Sequence, residues 1–256
     1  VGNLKHADIL RQVAQREEIQ FNYFIDVDVG MHRTGSPPSE VMALYQKIVD
    51  WSEFCFAGIH GYDGHIHQSD FSERQKAAEA AMDVLTRVCD NFWSEDIHIP
   101  RVMTAGSPSF PLDLKIMFNR VGEKSHFQVS PGTWIYWDSE YEKILPHTFE
   151  IAAVILAQVM DKEPENCITL NLGHKRWGAD RGPVEWFSDS NLRVVSFSEE
   201  HTVLQTKKGS HYQIGDYILV VPRHICPTVN LYETFALIDA DGVIENLECP
   251  VNGRNR

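Results

Sequence analysis

The sequence predicts an α/β fold in which parallel strands covered by helices give way to an antiparallel β-domain. Three observations predict it. Strand-like and helix-like runs alternate over residues 1–147. Strand-like runs in that region lead into polar or Gly-rich turns. From residue 148 to 256 the apolar runs become short, rich in β-formers and separated by turn signals.

In chain order, Asn3-Leu4-Lys5-His6-Ala7 reads as a helix start. Residues 21–29 form a mostly apolar, strand-like run. Val41, Leu44, Tyr45, Ile48 and Trp51 fall on one helical face within 39–51. A second strand is predicted over 54–59. A second helix follows over 72–93, with Ala77, Ala81, Leu85, Val88 and Phe92 in its stripe, and a third strand over 97–103. Beyond 148 the strands are 151–160, 167–172, 192–197, 201–206, 217–221, 234–238 and 242–247. Lys208-Gly209, Gly215-Asp216 and Asp241-Gly242 mark turns between them. The tail Arg254-Asn255-Arg256 reads as frayed. In sheets of the first kind function gathers at the carboxyl ends of the strands, so the turns of residues 1–147 are expected on one rim.

Composition narrows the function classes. A hydrophobic fraction of 43% is enough for a core. No stretch of about 18 apolar residues is present, which predicts no membrane partner. A net charge of -13 argues against nucleic acid. The cysteines at 55, 89, 167, 226 and 249 are scattered and include no C-x-x-C, the usage of a reducing cytoplasm.

Chemistry-bearing residues cluster in a few places. His224-Ile225-Cys226-Pro227 follows the apolar run 217–221. Read as the end of a strand, it puts the imidazole and the sulfur on one face, where they can share a metal ion. Pro227 then stops the ladder. Two ligands leave a metal open to substrate, though an H-x-C pair is also an ordinary core pairing. Thr104-Ala105-Gly106-Ser107 and Ser130-Pro131-Gly132-Thr133 are turns that can cradle an anion or simply turn the chain. Neither matches a P-loop or a G-x-G-x-x-G fingerprint. The run from His60 to His67 carries three histidines with Tyr62 and Asp63, and also reads as a solvated loop. Arg33 follows a strand bearing Asp26 and Asp28 and is the expected partner of those carboxylates. Gly173-His174-Lys175-Arg176-Trp177 is basic and aromatic but too short for a nucleic-acid surface.

Taken together these segments resemble the pyridoxal-phosphate lyases that comprise D-threonine aldolase and eukaryotic-type D-serine dehydratase, which share the alanine-racemase fold. The resemblance is carried, in the family's order, by Asp26 to Gly35 and Gly58 to His65. It continues through Thr104 to Pro108, Ser130 to Tyr136, Ser198 to His201, and His224 to Asn230. It implies part of a parallel (β/α) barrel of alanine-racemase type, then a β-domain, usually in a homodimer. It implies that Thr104, Gly106, Ser107, Gly132 and Thr133 hold the cofactor phosphate, and that Arg33, His60 and Tyr62 flank the pyridine ring. His224 and Cys226 would bind a divalent metal, zinc foremost and manganese as the alternative. That metal would hold the hydroxyl of a β-hydroxy D-amino acid, with His65 or His67 as base. The family's Schiff-base lysine lies in a motif like R-P-H-x-K-T-H, which this sequence lacks. The expectation is therefore that the first match falls mid-barrel, with roughly a hundred residues upstream of Val1. This chain alone is then expected to be inactive. Two rival readings are a metal-dependent hydrolase using His60, His65, His67 and His224, and a non-catalytic homologue without the lysine.

Overall fold

The computed structural model describes residues 1–104, 106–163, 166–208 and 211–251. Ala105, Gly209 of the Lys208-Gly209 turn, and the tail Arg254-Asn255-Arg256 lie outside the described residues. The chain divides into two units, Val1–Gly132 and Thr133–Arg256.

The first unit runs α1 (Leu4–Glu17), β1 (Phe21–Asp26), α2 (Val41–Ile48), β2 (Phe54–Gly61), α3 (Phe71–Ser94), β3 (Arg101–Thr104), α4 (Phe110–Val121), β4 (His126–Val129). Its sheet has the order β1-β2-β3-β4, and every neighbouring pair is parallel. The helices start where local chemistry allows. Asn3 accepts a bond from the His6 N–H at 3.0 Å, and Asp70 accepts one from the Glu73 N–H at 2.9 Å, so each side chain satisfies an otherwise unpaired donor. Helix α3 buries Ala78, Ala81, Met82, Leu85, Val88, Cys89 and Phe92, a stripe at three- and four-residue spacing. It lies in one core with Ile25 and Ile59 of the sheet, each fully buried. Burial of side chains of this size stabilises by about 1.5–3 kcal/mol apiece.

Two registers set up the rim. Asp26 lies opposite His60. Gly61 lies opposite Thr104, and Thr104 opposite Val129. The turns after β2, β3 and β4 therefore leave from adjacent points at the carboxyl end of one sheet. Helix α4 and strand β4 are additions to the predicted elements.

The second unit opens with a 3-10 turn at Thr133–Ile135 and α5 (Ser139–Ile144). Then come β5 (Ile155–Glu163), β6 (Cys167–Leu170), β7 (Trp186–Phe187), β8 (Arg193–Phe197), β9 (Thr202–Gln205), β10 (Tyr217–Val221), α6 (Ile225–Val229), β11 (Thr234–Ile238) and β12 (Ile244–Pro250). Six strands form an antiparallel sheet of order β7-β10-β5-β6-β9-β8, and β11 and β12 form a ribbon. Ala157, Val159, Ile168, Leu170, Leu204, Ile218 and Val220 alternate into its core. Trp177, in the basic and aromatic stretch, is buried in that core with Phe197 5.8 Å away.

One prediction is corrected here. His224 and Cys226 are not on a strand: β10 stops at Val221, and His224 is the N-cap of the short helix α6. The Ile225 N–H donates to Asp138 Oδ2 at 2.9 Å, and the Thr228 hydroxyl donates to the His224 carbonyl at 2.6 Å. Pro227 fits in the first turn, where a missing N–H costs nothing. Among the described residues no helix is long and apolar enough to cross a membrane.

Candidate functional site

In the first unit the rim brings together most of the residues predicted there. His60 Nδ1 lies 2.9 Å from Asp26 Oδ1. Burial opposes charge on Asp26, but the bonds from His60 and Thr34 outweigh it and hold its carboxyl below the usual range. The guanidinium of Arg33 stands over the Tyr62 ring, 4.7 Å from the centroid. Arg33 is thus not the partner of the two strand aspartates. Asp26 takes His60, and Asp28 takes the Gly30 and His32 N–H groups at 3.0 Å each together with the His32 ring. A carboxylate that bonds its own turn needs no distant arginine, which leaves the guanidinium to the aromatic face.

His65 and His67 part company around the buried Ile66. His67 is exposed. His65 packs toward Gly30 and has its Nδ1 buried with no hydrogen-bond partner among the described residues. After β3, Thr104 is fully buried. A Cβ on Gly106 would lie 2.1 Å from Ser109 Oγ and 2.3 Å from Asp63 Oδ1, so only glycine fits at this buried position. Ser107 follows it, half-buried. After β4, Ser130 donates its N–H to the Thr104 carbonyl at 2.8 Å. A Cβ on Gly132 would meet nothing within 4 Å.

In the second unit His224, Cys226 and Thr133 come together. The Thr133 hydroxyl lies 3.6 Å from Cys226 Sγ. His224 Nδ1 lies 2.7 Å from Asp180 Oδ2. Burial opposes charge on His224, but its bonds to Cys226 and Asp180 prevail and raise its pKa. The bond from His224 in turn lowers that of the Cys226 thiol. Asp138 anchors this corner, accepting from the Tyr141 and Ile225 N–H groups at 2.9 Å each. Gly178 is pressed onto α6, since a Cβ there would lie 2.2 Å from Pro227 Cγ. Among the described residues no three His, Cys, Asp or Glu side chains form a metal-binding group.

Sequence reasoning missed Asp180 and Asp138. Asp180 stands 44 residues from His224, and nothing local marks it. Asp138 carries a signal that was readable, an aspartate three residues before a tyrosine at a helix start.

Comparison with known proteins matches residues 1–139 to the family model described as alanine racemase, N-terminal domain. Residues 152–238 match the putative serine dehydratase domain. The chain is 26% identical over 253 residues to a D-threonine aldolase of an Arthrobacter species, covering 96% of this chain and 65% of that protein. It is 24% identical over 275 residues to a D-serine dehydratase of Dictyostelium discoideum, covering 95% of this chain and 68% of that protein. The chain thus spans about two thirds of the length of these relatives. The crystal structure of D-threonine aldolase from Filomicrobium marinum superposes with a TM-score of 0.85 at 24% identity, over 98% of this chain and 68% of that one. Two variants of D-threo-3-hydroxyaspartate dehydratase superpose at 0.76 and 0.77, with 16% and 17% identity, each over 97% of this chain and 70% and 69% of theirs. One replaces a histidine and the other a cysteine two positions later, and the cysteine variant is described as metal-free. The half-and-half match explains the two textures of the sequence, and with it the chain belongs to the family of D-threonine aldolases and D-serine dehydratases built on the alanine-racemase fold.

Proposed function

We propose that this chain carries the ring- and phosphate-holding turns and the metal-holding residues of a pyridoxal-phosphate- and divalent-metal-dependent lyase acting on β-hydroxy D-amino acids. The observation that carries the reading is the His224–Cys226 pair at the start of α6, with the His224 Nδ1 2.7 Å from Asp180 Oδ2. A thiolate and an imidazole whose Nδ1 is engaged by a carboxylate form a donor set suited to zinc rather than to a harder ion such as manganese. The histidine and cysteine replaced in the metal-free-related dehydratase variants have the same spacing.

The rim residues fit the cofactor. Gly106 lets the turn close tightly over Ser109 and Asp63, where any side chain would clash. Gly132 opens onto free space. Ser107 supplies a hydroxyl at the first of these turns, while the Thr104 side chain is buried beside Asp113. Arg33, stacked on Tyr62, and His60, oriented by Asp26, are held as flat partners for a ring. When bound, pyridoxal phosphate supplies an electron-accepting ring and the metal supplies Lewis acidity toward a β-hydroxyl. His65, with a buried ring nitrogen left without a partner, is better placed than the exposed His67 to hold a proton. A small-molecule amino acid is the partner this reading requires. A homodimer and a cytoplasmic location are carried over with it.

In the intact protein, glycine and acetaldehyde from D-threonine identify an aldolase, and pyruvate and ammonia from D-serine identify a dehydratase. Absence of both activities with pyridoxal phosphate and zinc supplied would remove the reading. A separate check needs no turnover. Asp180→Ala is expected to weaken zinc binding by about 10–100-fold, because it frees the His224 ring that it orients. Competition with a colorimetric zinc chelator measures it, and an unchanged affinity would exclude Asp180 from that role.

A further inference from the structure

Below the rim of the first unit lie two carboxyl groups that the proposed chemistry does not use. Asp63 comes from the loop after β2, and Asp113 from the first turns of α4. Both side chains are fully buried. They are close enough for each to act on the other. None of their four oxygens has a well-formed bond to a donor elsewhere among the described residues. The hydroxyls of Ser109 and Thr104 stand beside them without meeting good bonding geometry. His65, from the same loop, acts on Asp63 electrostatically.

Two carboxylates cannot donate to each other. Buried side by side without a donor or a cation bonded to them, they would repel at short range in a low dielectric. A single proton resolves both problems, turning the repulsion into a charge-assisted O–H···O bond. Position gives that bond a purpose. Asp63 directly follows Tyr62, and its Oδ1 packs against Gly106, 2.3 Å from where a Cβ would stand. Asp113 is on the helix that the 106–109 turn feeds, its N–H bonded to the Ser109 carbonyl at 3.0 Å.

We propose that Asp63 and Asp113 share one proton, and that this acid–carboxylate bond is a positioning device fastening the Tyr62 loop to the Gly106–Ser107 turn. The two are then held at one spacing, as a ring contact and a phosphate contact on one rigid molecule require. The part concerning cofactor spacing rests on the function proposed above; the shared proton does not.

Burial, and then the charge of Asp63, push Asp113 up to about 8 from 3.8. An acid whose pKa is raised in the fold stabilises fully below its unfolded value. That contribution is lost as pH rises toward the folded value and is level above it. Asp113→Asn keeps a donor to Asp63 and needs no proton. Relative to Asp113→Asn, the folded-to-unfolded ratio of the parent chain is expected to fall about tenfold per pH unit between roughly pH 5 and pH 7. Urea denaturation across that range reads it. Parallel curves would overturn the shared proton. Should the variant not fold, the infrared carboxylic-acid stretch of the parent chain at pH 7, assigned by aspartate isotope labelling, decides the same point: its absence overturns the proposal.

The positioning role has its own readout in pyridoxal phosphate binding, followed by quenching of tryptophan fluorescence. Asp113→Asn is expected to retain the parent affinity, and Asp113→Ala to lose about tenfold as Asp63 is left buried without a partner. Equal losses in both variants, or none in either, would overturn the positioning role. Failure of the parent chain to bind pyridoxal phosphate, with the pH difference intact, overturns the function proposed above while leaving the shared proton standing.

Discussion

Replacing Cys226 by alanine is expected to reduce zinc binding by at least about a hundredfold and to abolish metal-dependent turnover in the intact protein, while leaving pyridoxal phosphate binding unchanged. The argument runs through the number of ligands. In the proposed site His224 and Cys226 are the protein groups that would hold the ion, so losing the sulfur would leave one imidazole. The substitution is mild in other respects. Cys226 is exposed, and α6 is held by the Thr228 and Asp138 bonds rather than by the thiol. Zinc content after dialysis, beside a thermal melt without metal, separates a lost ligand from a lost fold. Retained zinc with an unchanged melt would take Cys226 out of the site.

The largest expected effect on stability belongs to Gly58→Ala. Gly58 lies in the middle of β2 at φ +147°, where the register between β1 and β2 shifts and Phe24 pairs with Gly58. A Cβ there would stand 1.9 Å from the carbonyl oxygen of Arg101 on β3. That atom belongs to the sheet backbone and cannot swing aside. Strain at such a φ together with the overlap costs about 3 kcal/mol or more. For a chain of this size that corresponds to a fall in Tm of roughly 6–12 °C. Differential scanning calorimetry measures it, and a shift under about 2 °C would mean that the strand can open at little cost. Because β2 carries His60 and Gly61 to the rim, cofactor affinity is expected to fall with it.

Much of this was legible because periodicity survives folding. The stripe of α3 and the alternation in β5, β6 and β10 are written in the order of apolar residues, and their period fixes which face is inside. What was misread has identifiable physical causes. The apolar run of β10 was carried past Pro222 into His224 and Cys226. A strand and the start of a helix both keep residues two apart within reach of one ion, so the spacing was informative while the conformation was not. Helix α4 hides because Asp113, fully buried, reads as a surface residue, while Leu114 and Phe118 are exposed and read as core. Protonation inverts the usual rule for a carboxyl, and no pattern of residue types announces it. Asp180 was beyond reach for a simpler reason: only the tertiary fold brings it to His224.

The register Gly61–Thr104–Val129 has a consequence for how this chain can change over time. A residue added within β2 or β3 would slip the register and turn Thr104 or His60 to the opposite face of the sheet. A residue added to a turn beyond those three positions alters reach and leaves every strand where it is. Strand length in this unit is therefore closed to variation, and the turns are open to it.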